Sequence, residues 1–168
     1  PRLARRCSNA RLSDDMNATT PTTCPYLVGV AEVDVTPAIG TKLAGFAART
    51  GGATGVYLPL RSIVTAITDR ATDRTVIIVV VEWLGFYDNT DHVRALINAA
   101  TGVPTDDILL SGTHTHCGPP MRKHVDADCR TGIDAPFLQA SFAKIAATAQ
   151  RAMAGRTPMA MASTTGWC

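Results

Sequence analysis

Long apolar runs are missing from this chain. The longest strongly apolar stretch is only Val76 to Val81, whereas a membrane-spanning helix needs about 20 such residues; no transmembrane segment is expected. A lopsided charge is missing too. Lys and Arg number 16 against 14 for Asp and Glu, a net charge of +2, too small to draw the chain to nucleic acid or to an anionic membrane surface. The opening residues hold no apolar core of the kind, about 7–15 residues long, that a secretory signal carries, and the compartment stays open. Cysteine is sparse: Cys7, Cys24, Cys117, Cys129 and Cys168 make an odd count without a CxxC pair. That argues against a disulfide framework and against a zinc ribbon. Free thiols are the expectation, with a Cys117–Cys129 pair as the alternative. Internal repeats are absent as well.

What is present suits one packed domain. A chain of 168 residues can bury a real core, and 46% hydrophobic against 18% charged residues is the ordinary balance of a globular protein. The first 24 residues differ from the rest. Arg2, Arg5, Arg6 and Arg11 cluster there, and Asn17 to Thr23 is a Thr/Pro/Asn tract. Residues 1–24 are therefore expected to be a poorly ordered lead-in, with Met16 a candidate true start, and 25–168 to be the folded portion.

Leu27 to Val35 alternates as a half-buried strand does, with Leu27, Gly29, Ala31, Val33 and Val35 on one face and Glu32 and Asp34 on the other. Thr36-Pro37 ends it. Residues 38–59 are rich in glycine and hold no helical period, so this long loop is either functional or disordered. Arg61–Thr68 and Thr75–Glu82 are β-rich runs joined by polar turn residues, which predicts a hairpin. The run Val76–Val81 has no polar face and reads as a strand buried on both sides. Asn89-Thr90 opens a helix carrying Val93, Leu96, Ile97 and Ala100, and Gly102 with Pro104 closes it. Ile108–Leu110 is the next strand. Strand, helix and strand in that order make a βαβ unit with parallel strands. A second helix runs from an Asp134 cap through Phe137, Leu138, Phe142, Ile145, Ala149 and Ala152, and Pro158–Ala162 can begin another strand. No terminating element follows before Gly166-Trp167-Cys168, so the domain is expected to be incomplete. The fold class is α/β: a three-layer arrangement with a mixed, partly parallel sheet flanked by helices.

The chemistry concentrates after Ile108–Leu110, in Ser111-Gly112-Thr113-His114-Thr115-His116-Cys117-Gly118-Pro119-Pro120. Side chains two apart on extended backbone share a face at roughly 6.5–7 Å, and two imidazoles at that spacing can converge on one divalent ion. Chance surface histidines are the bland alternative, since a metal site wants three or four ligands. The position favours function, because ligands of open α/β sheets bind beyond the carboxyl ends of the strands. Glu82 ends the preceding strand at the same side and is either an outer partner of a ligating histidine or a surface acid. His92 reads as a surface histidine; His124 is expected to be a solvated loop histidine, with a further ligand as the alternative, and Arg122-Lys123 a solvated loop, with contact to a lipid head group as the alternative. Trp83, Phe86 and Tyr87 line either an acyl-chain entry or the core.

The order of these features resembles the neutral/alkaline (non-lysosomal) ceramidase family, in the amino-terminal part of its catalytic domain. The matching residues are Val28-Gly29-Val30-Ala31-Glu32-Val33-Asp34-Val35-Thr36-Pro37, Leu43-Ala44-Gly45-Phe46-Ala47, a two-strand segment ending near Glu82, and Ile108 through Pro120. The resemblance covers about residues 27–165. It implies a zinc-dependent amidohydrolase that cleaves the N-acyl amide of ceramide-like sphingolipids to a fatty acid and a sphingoid base. By position His114 matches a zinc (Zn2+) ligand, and His116 matches an active-site histidine for substrate polarisation or proton transfer. The family's remaining ligands lie beyond this chain, so its partners are a lipid amide substrate and the remainder of its own catalytic domain. Cys117 stands where the family has Ser, and Glu82 where Asp is common. Metallo-β-lactamase-like enzymes continue their HxH to an Asp-His that is missing here, and barrel amidohydrolases place the pair on a first strand. The isolated chain is expected to be inactive. A non-catalytic ceramidase-like scaffold, or a hydrolase of another amide, is the alternative.

Overall fold

The computed structural model describes residues 24–46, 48–121 and 135–162. Five strands form one sheet: β1 Tyr26–Asp34, β2 Arg61–Asp69, β3 Thr75–Val81, β4 Ile108–Gly112 and β5 Thr157–Met159. Two helices accompany them, α1 Thr90–Thr101 and α2 Ala135–Ala154. The strand order is β4-β3-β2-β1-β5. β1, β2 and β3 pair antiparallel, β5 adds antiparallel to the free side of β1, and β3 and β4 are parallel. The α/β class and the mixed, partly parallel sheet follow the expectation.

Local chemistry explains the connections. In the β2–β3 turn the Asp69 carboxylate accepts from the Ala71 N–H at 2.9 Å and the Thr72 hydroxyl at 3.0 Å. Asp73 takes a left-handed φ of 56°, a conformation that short polar side chains tolerate. This closes the hairpin in the register Thr68↔Thr75. The crossover to β4 runs through α1. Asn89 precedes that helix, yet its side chain does not cap it; Nδ2 donates instead to the Phe86 and Met121 carbonyls, both at 3.3 Å. At the other end Gly102 stops the helix in left-handed backbone. Asp134, expected to cap α2, lies outside the described residues, as do residues 1–23 of the expected lead-in.

The core sits between the sheet and both helices. Ile77, Val79 and Val81 of β3, Val64 and Ala66 of β2, Val93 and Ile97 of α1, and Phe142, Ile145 and Ala149 of α2 belong to one buried cluster. Fully burying the Val, Ile and Phe side chains among these contributes about 1.5–3 kcal/mol each. The alternate residues of β3 are not buried this way. Val76 is exposed, and Ile78 and Val80 are half-buried. An all-apolar run therefore does not here mean a strand covered on both sides. Both helices pack on the Ile77–Val79–Val81 face, and among the described residues nothing covers the other.

The cysteines depart from expectation. Cys24 is disulfide-bonded, while Cys117 is a free, exposed thiol. Cys117 is thus not paired with Cys129. Sequence spacing alone does not determine pairing.

Candidate functional site

Parallel pairing carries the chain past the end of β4. The Thr113 N–H donates to the Val81 carbonyl at 2.9 Å and the His114 N–H to the Trp83 carbonyl at 3.0 Å. These bonds fix the histidine segment at the carboxyl ends of β3 and β4, where the crossover topology leaves an open end. Trp83 can anchor the segment because it is fully buried, with its indole N–H on the Val35 carbonyl at 3.3 Å.

His114 then breaks the extended backbone with a φ of 62°. For a non-glycine residue the left-handed region costs about 1–3 kcal/mol and persists only where the surroundings impose it. The two imidazoles lie side by side, with ring centroids 5.3 Å apart and planes at 33°. The cause is this kink beyond the strand and not simple strand alternation.

The glycine-rich loop closes over His116. The Ala44 N–H donates to the Gly118 carbonyl at 2.8 Å. Gly45, with a φ of +77°, lies so near the His116 ring that a β-carbon there would fall 2.8 Å from Cε1 and closer still to Nδ1. The Phe46 ring packs on the imidazole with centroids 4.5 Å apart. Arg49 donates to the His116 carbonyl at 2.8 Å and to the Ala44 carbonyl at 3.4 Å, and its guanidinium carbon stands 5.1 Å from the Phe46 ring centroid. His114 is exposed and His116 half-buried. The Nδ1 atom of His116 is buried and has no hydrogen-bond partner among the described residues.

The other candidates make contacts of their own. Glu82 accepts from the Arg61 N–H at 2.6 Å, and its own N–H donates to the Arg61 carbonyl at 2.9 Å. The carboxylate thus ties β3 to the start of β2, and among the described residues no hydrogen bond joins it to either histidine. His92 sits exposed on α1, with Nε2 3.1 Å from the Gln139 amide oxygen and its ring edge-on to Phe142. Trp83 and Phe86 are core residues, whereas Tyr87 is exposed. His124, Arg122 and Lys123 lie outside the described residues. Among the described residues no group of three or more His, Cys, Asp or Glu side chains could hold a metal. Phe46 and Arg49 were not foreseen as site residues. The loop's glycine content hints at close approach, but nothing in its sequence says to what.

A mixed α/β sheet with paired imidazoles at its open carboxyl end defines the class: an α/β domain of the kind that places its site beyond the strand ends. The chain belongs to the neutral/alkaline non-lysosomal ceramidase family, whose amino-terminal family model matches residues 26–165. Two solved structures share the fold, a ceramidase complexed with C2 and the neutral ceramidase from Pseudomonas aeruginosa. Each has a TM-score of 0.69 and 22% identity, over 80% of this chain and 22% of the other. The chain thus spans about a fifth of the length of those ceramidases. Among curated proteins none matches it.

Proposed function

We propose that this chain supplies the histidine pair of a zinc-dependent amidohydrolase that cleaves the N-acyl amide of ceramide-like sphingolipids to a fatty acid and a sphingoid base. The observation that carries the reading is the close approach of the His114 and His116 rings, 5.3 Å between centroids, in a chain of the ceramidase family. A ring spacing of 5.3 Å leaves room for His114 to ligate a zinc ion while the His116 imidazole stands beside it at the reacting centre. The family match also favours a lipid amide over other amides.

In this reading His114 is the metal ligand and His116 works beside it. When bound, zinc would polarise the amide carbonyl and lower the pKa of an attacking water to about 7. His116, through a ring nitrogen, would polarise the substrate or pass a proton toward the departing amide nitrogen. Phe46 and Gly45 hold its ring in place and shield one side from water. Catalytic zinc commonly has three protein ligands, and among the described residues no group of three candidate ligands is brought together. The remaining donors are therefore assigned to the rest of the catalytic domain, and the 168-residue chain alone is expected to hold zinc weakly and not to turn over. That shortage is also what would favour a non-catalytic scaffold.

The test compares this chain with the full-length gene product, measuring zinc after dialysis and fatty-acid release from ceramide. In the long form His114→Ala is expected to abolish both zinc and turnover, whereas His116→Ala loses turnover and keeps more of the metal. Full activity from the short chain, or normal zinc in the long His114→Ala form, overturns the assignment.

A further inference from the structure

A histidine that does chemistry is normally aimed by a hydrogen bond from its second ring nitrogen to a carboxylate or carbonyl. His116 lacks that device among the described residues, because its buried Nδ1 has no partner. Its orientation comes from contact instead. Gly45 presents a bare α-carbon to the Nδ1 side of the ring, and Phe46 packs on the ring at 4.5 Å. Arg49 fixes the backbone beneath through the His116 carbonyl.

Phe46 is hard to explain as a stability device. It is 63% exposed, so burial contributes little, and its φ is 60°. A bulky residue in left-handed backbone is an outlier that costs about 1–3 kcal/mol. His114, the other bulky residue beside this ring, is held the same way at 62°. Strain of this kind collects where a site needs one geometry. The Arg49 guanidinium, 5.1 Å from the Phe46 centroid, lies within cation–π reach of about 6 Å. Arg49 therefore braces both the ring that touches His116 and the carbonyl of His116 itself.

We infer that Arg49 and Phe46 are positioning residues for His116, a contact clamp that stands where the described residues supply no hydrogen bond to its Nδ1. The catalytic consequence rests on the role proposed for His116; the clamp itself does not. A packing role and a positioning role predict different results. If Phe46 only packed, Phe46→Gly would loosen the fold. If it positions, Phe46→Gly removes backbone strain and keeps the melting temperature while freeing the imidazole.

The experiment carbethoxylates the folded full-length protein with diethyl pyrocarbonate and reads His116 against His92 by mass spectrometry. His92 on α1 is the internal standard. In both Arg49→Ala and Phe46→Gly the His116:His92 rate ratio is expected to rise several-fold. In ceramide hydrolysis kcat should fall about tenfold at little-changed KM, since misplacement of about 1 Å can cost up to a hundredfold. If Arg49→Ala does not fold, Phe46→Gly decides alone. An unchanged ratio in folded Phe46→Gly, or a ratio that rises only with a lowered melting temperature, overturns the clamp. A raised ratio in a protein without ceramide hydrolysis keeps the clamp and removes the catalytic reading.

Discussion

Three aspartates at this sheet are held below the ordinary carboxylate range by neighbouring donors. The Arg74 guanidinium donates to Asp107 at 2.5 Å and holds its carboxyl below the ordinary carboxylate range. Thr36, through its hydroxyl and its backbone N–H, lowers Asp34, while the Ala71 N–H and the Thr72 hydroxyl lower Asp69. A carboxyl whose folded pKa lies below its unfolded one stabilises fully above the unfolded value, and loses that contribution as pH falls through the folded value. The melting temperature is therefore expected to drop as pH falls below about 4. Asp107→Asn should make that acid limb shallower, because the carboxyl that Arg74 favours is gone; calorimetry across the range checks it. An acid limb no shallower in Asp107→Asn would show the pair to be irrelevant. The histidine pair is legible at this same scale, since His-Thr-His after a strand stands out among few histidines. Its left-handed kink is not, because φ at His114 is imposed by the Trp83 carbonyl and the loop above. The clamp is hidden for a similar reason: Arg49 meets His116 across 67 positions of sequence, and a side-chain periodicity sees only neighbours.

Among the elements, β1 and α2 meet most closely at Gly29. A β-carbon there would run into the Ala152 carbonyl and lie 3.0 Å from the Arg156 N–H nitrogen. Backbone atoms of a helix end cannot yield as a flexible side chain would. Gly29→Ala should thus destabilise by about 1–3 kcal/mol, the usual cost of overpacking, lowering the melting temperature by roughly 2–4 °C per kcal/mol. Gly51→Ala, in open space, should leave it nearly unchanged. Equal melting of the two variants would mean the helix gives way. Here the sequence speaks plainly about which elements exist: β-branched runs mark β2 and β3, and the spacing of Val93 and Ile97 marks α1. It is silent on packing distance. Gly29 reads only as one more inward position of an alternating strand, and contact with α2 has to be seen.

On the scale of the whole molecule the unusual feature is the second face of the sheet. The pairings Val30↔Thr65, Ile63↔Val80 and Ile78↔Leu109 line up one outward surface across four strands. On it Val30 is 63% exposed, Ile63 41% and Leu109 54%. Exposed apolar side chains grouped on one face mark an interface or an aggregation liability, and β4 ends the sheet, so that among the described residues its outer edge is unpaired. A three-layer α/β arrangement would cover this face, and the two ceramidases that share the fold are far longer than this chain. The double substitution Ile63→Glu with Leu109→Lys separates the two situations. In the 168-residue chain it should suppress self-association in sedimentation, with unchanged circular dichroism, because surface substitutions cost about 0.5 kcal/mol or less. In a longer product that carries the remainder of the catalytic domain, as proposed above, the same charges are expected to meet a covering layer. Burying an unpaired charge there costs several kcal/mol, so soluble yield and melting temperature should both fall. Full tolerance in the long form would mean that the face is bare in both and that no third layer rests on it.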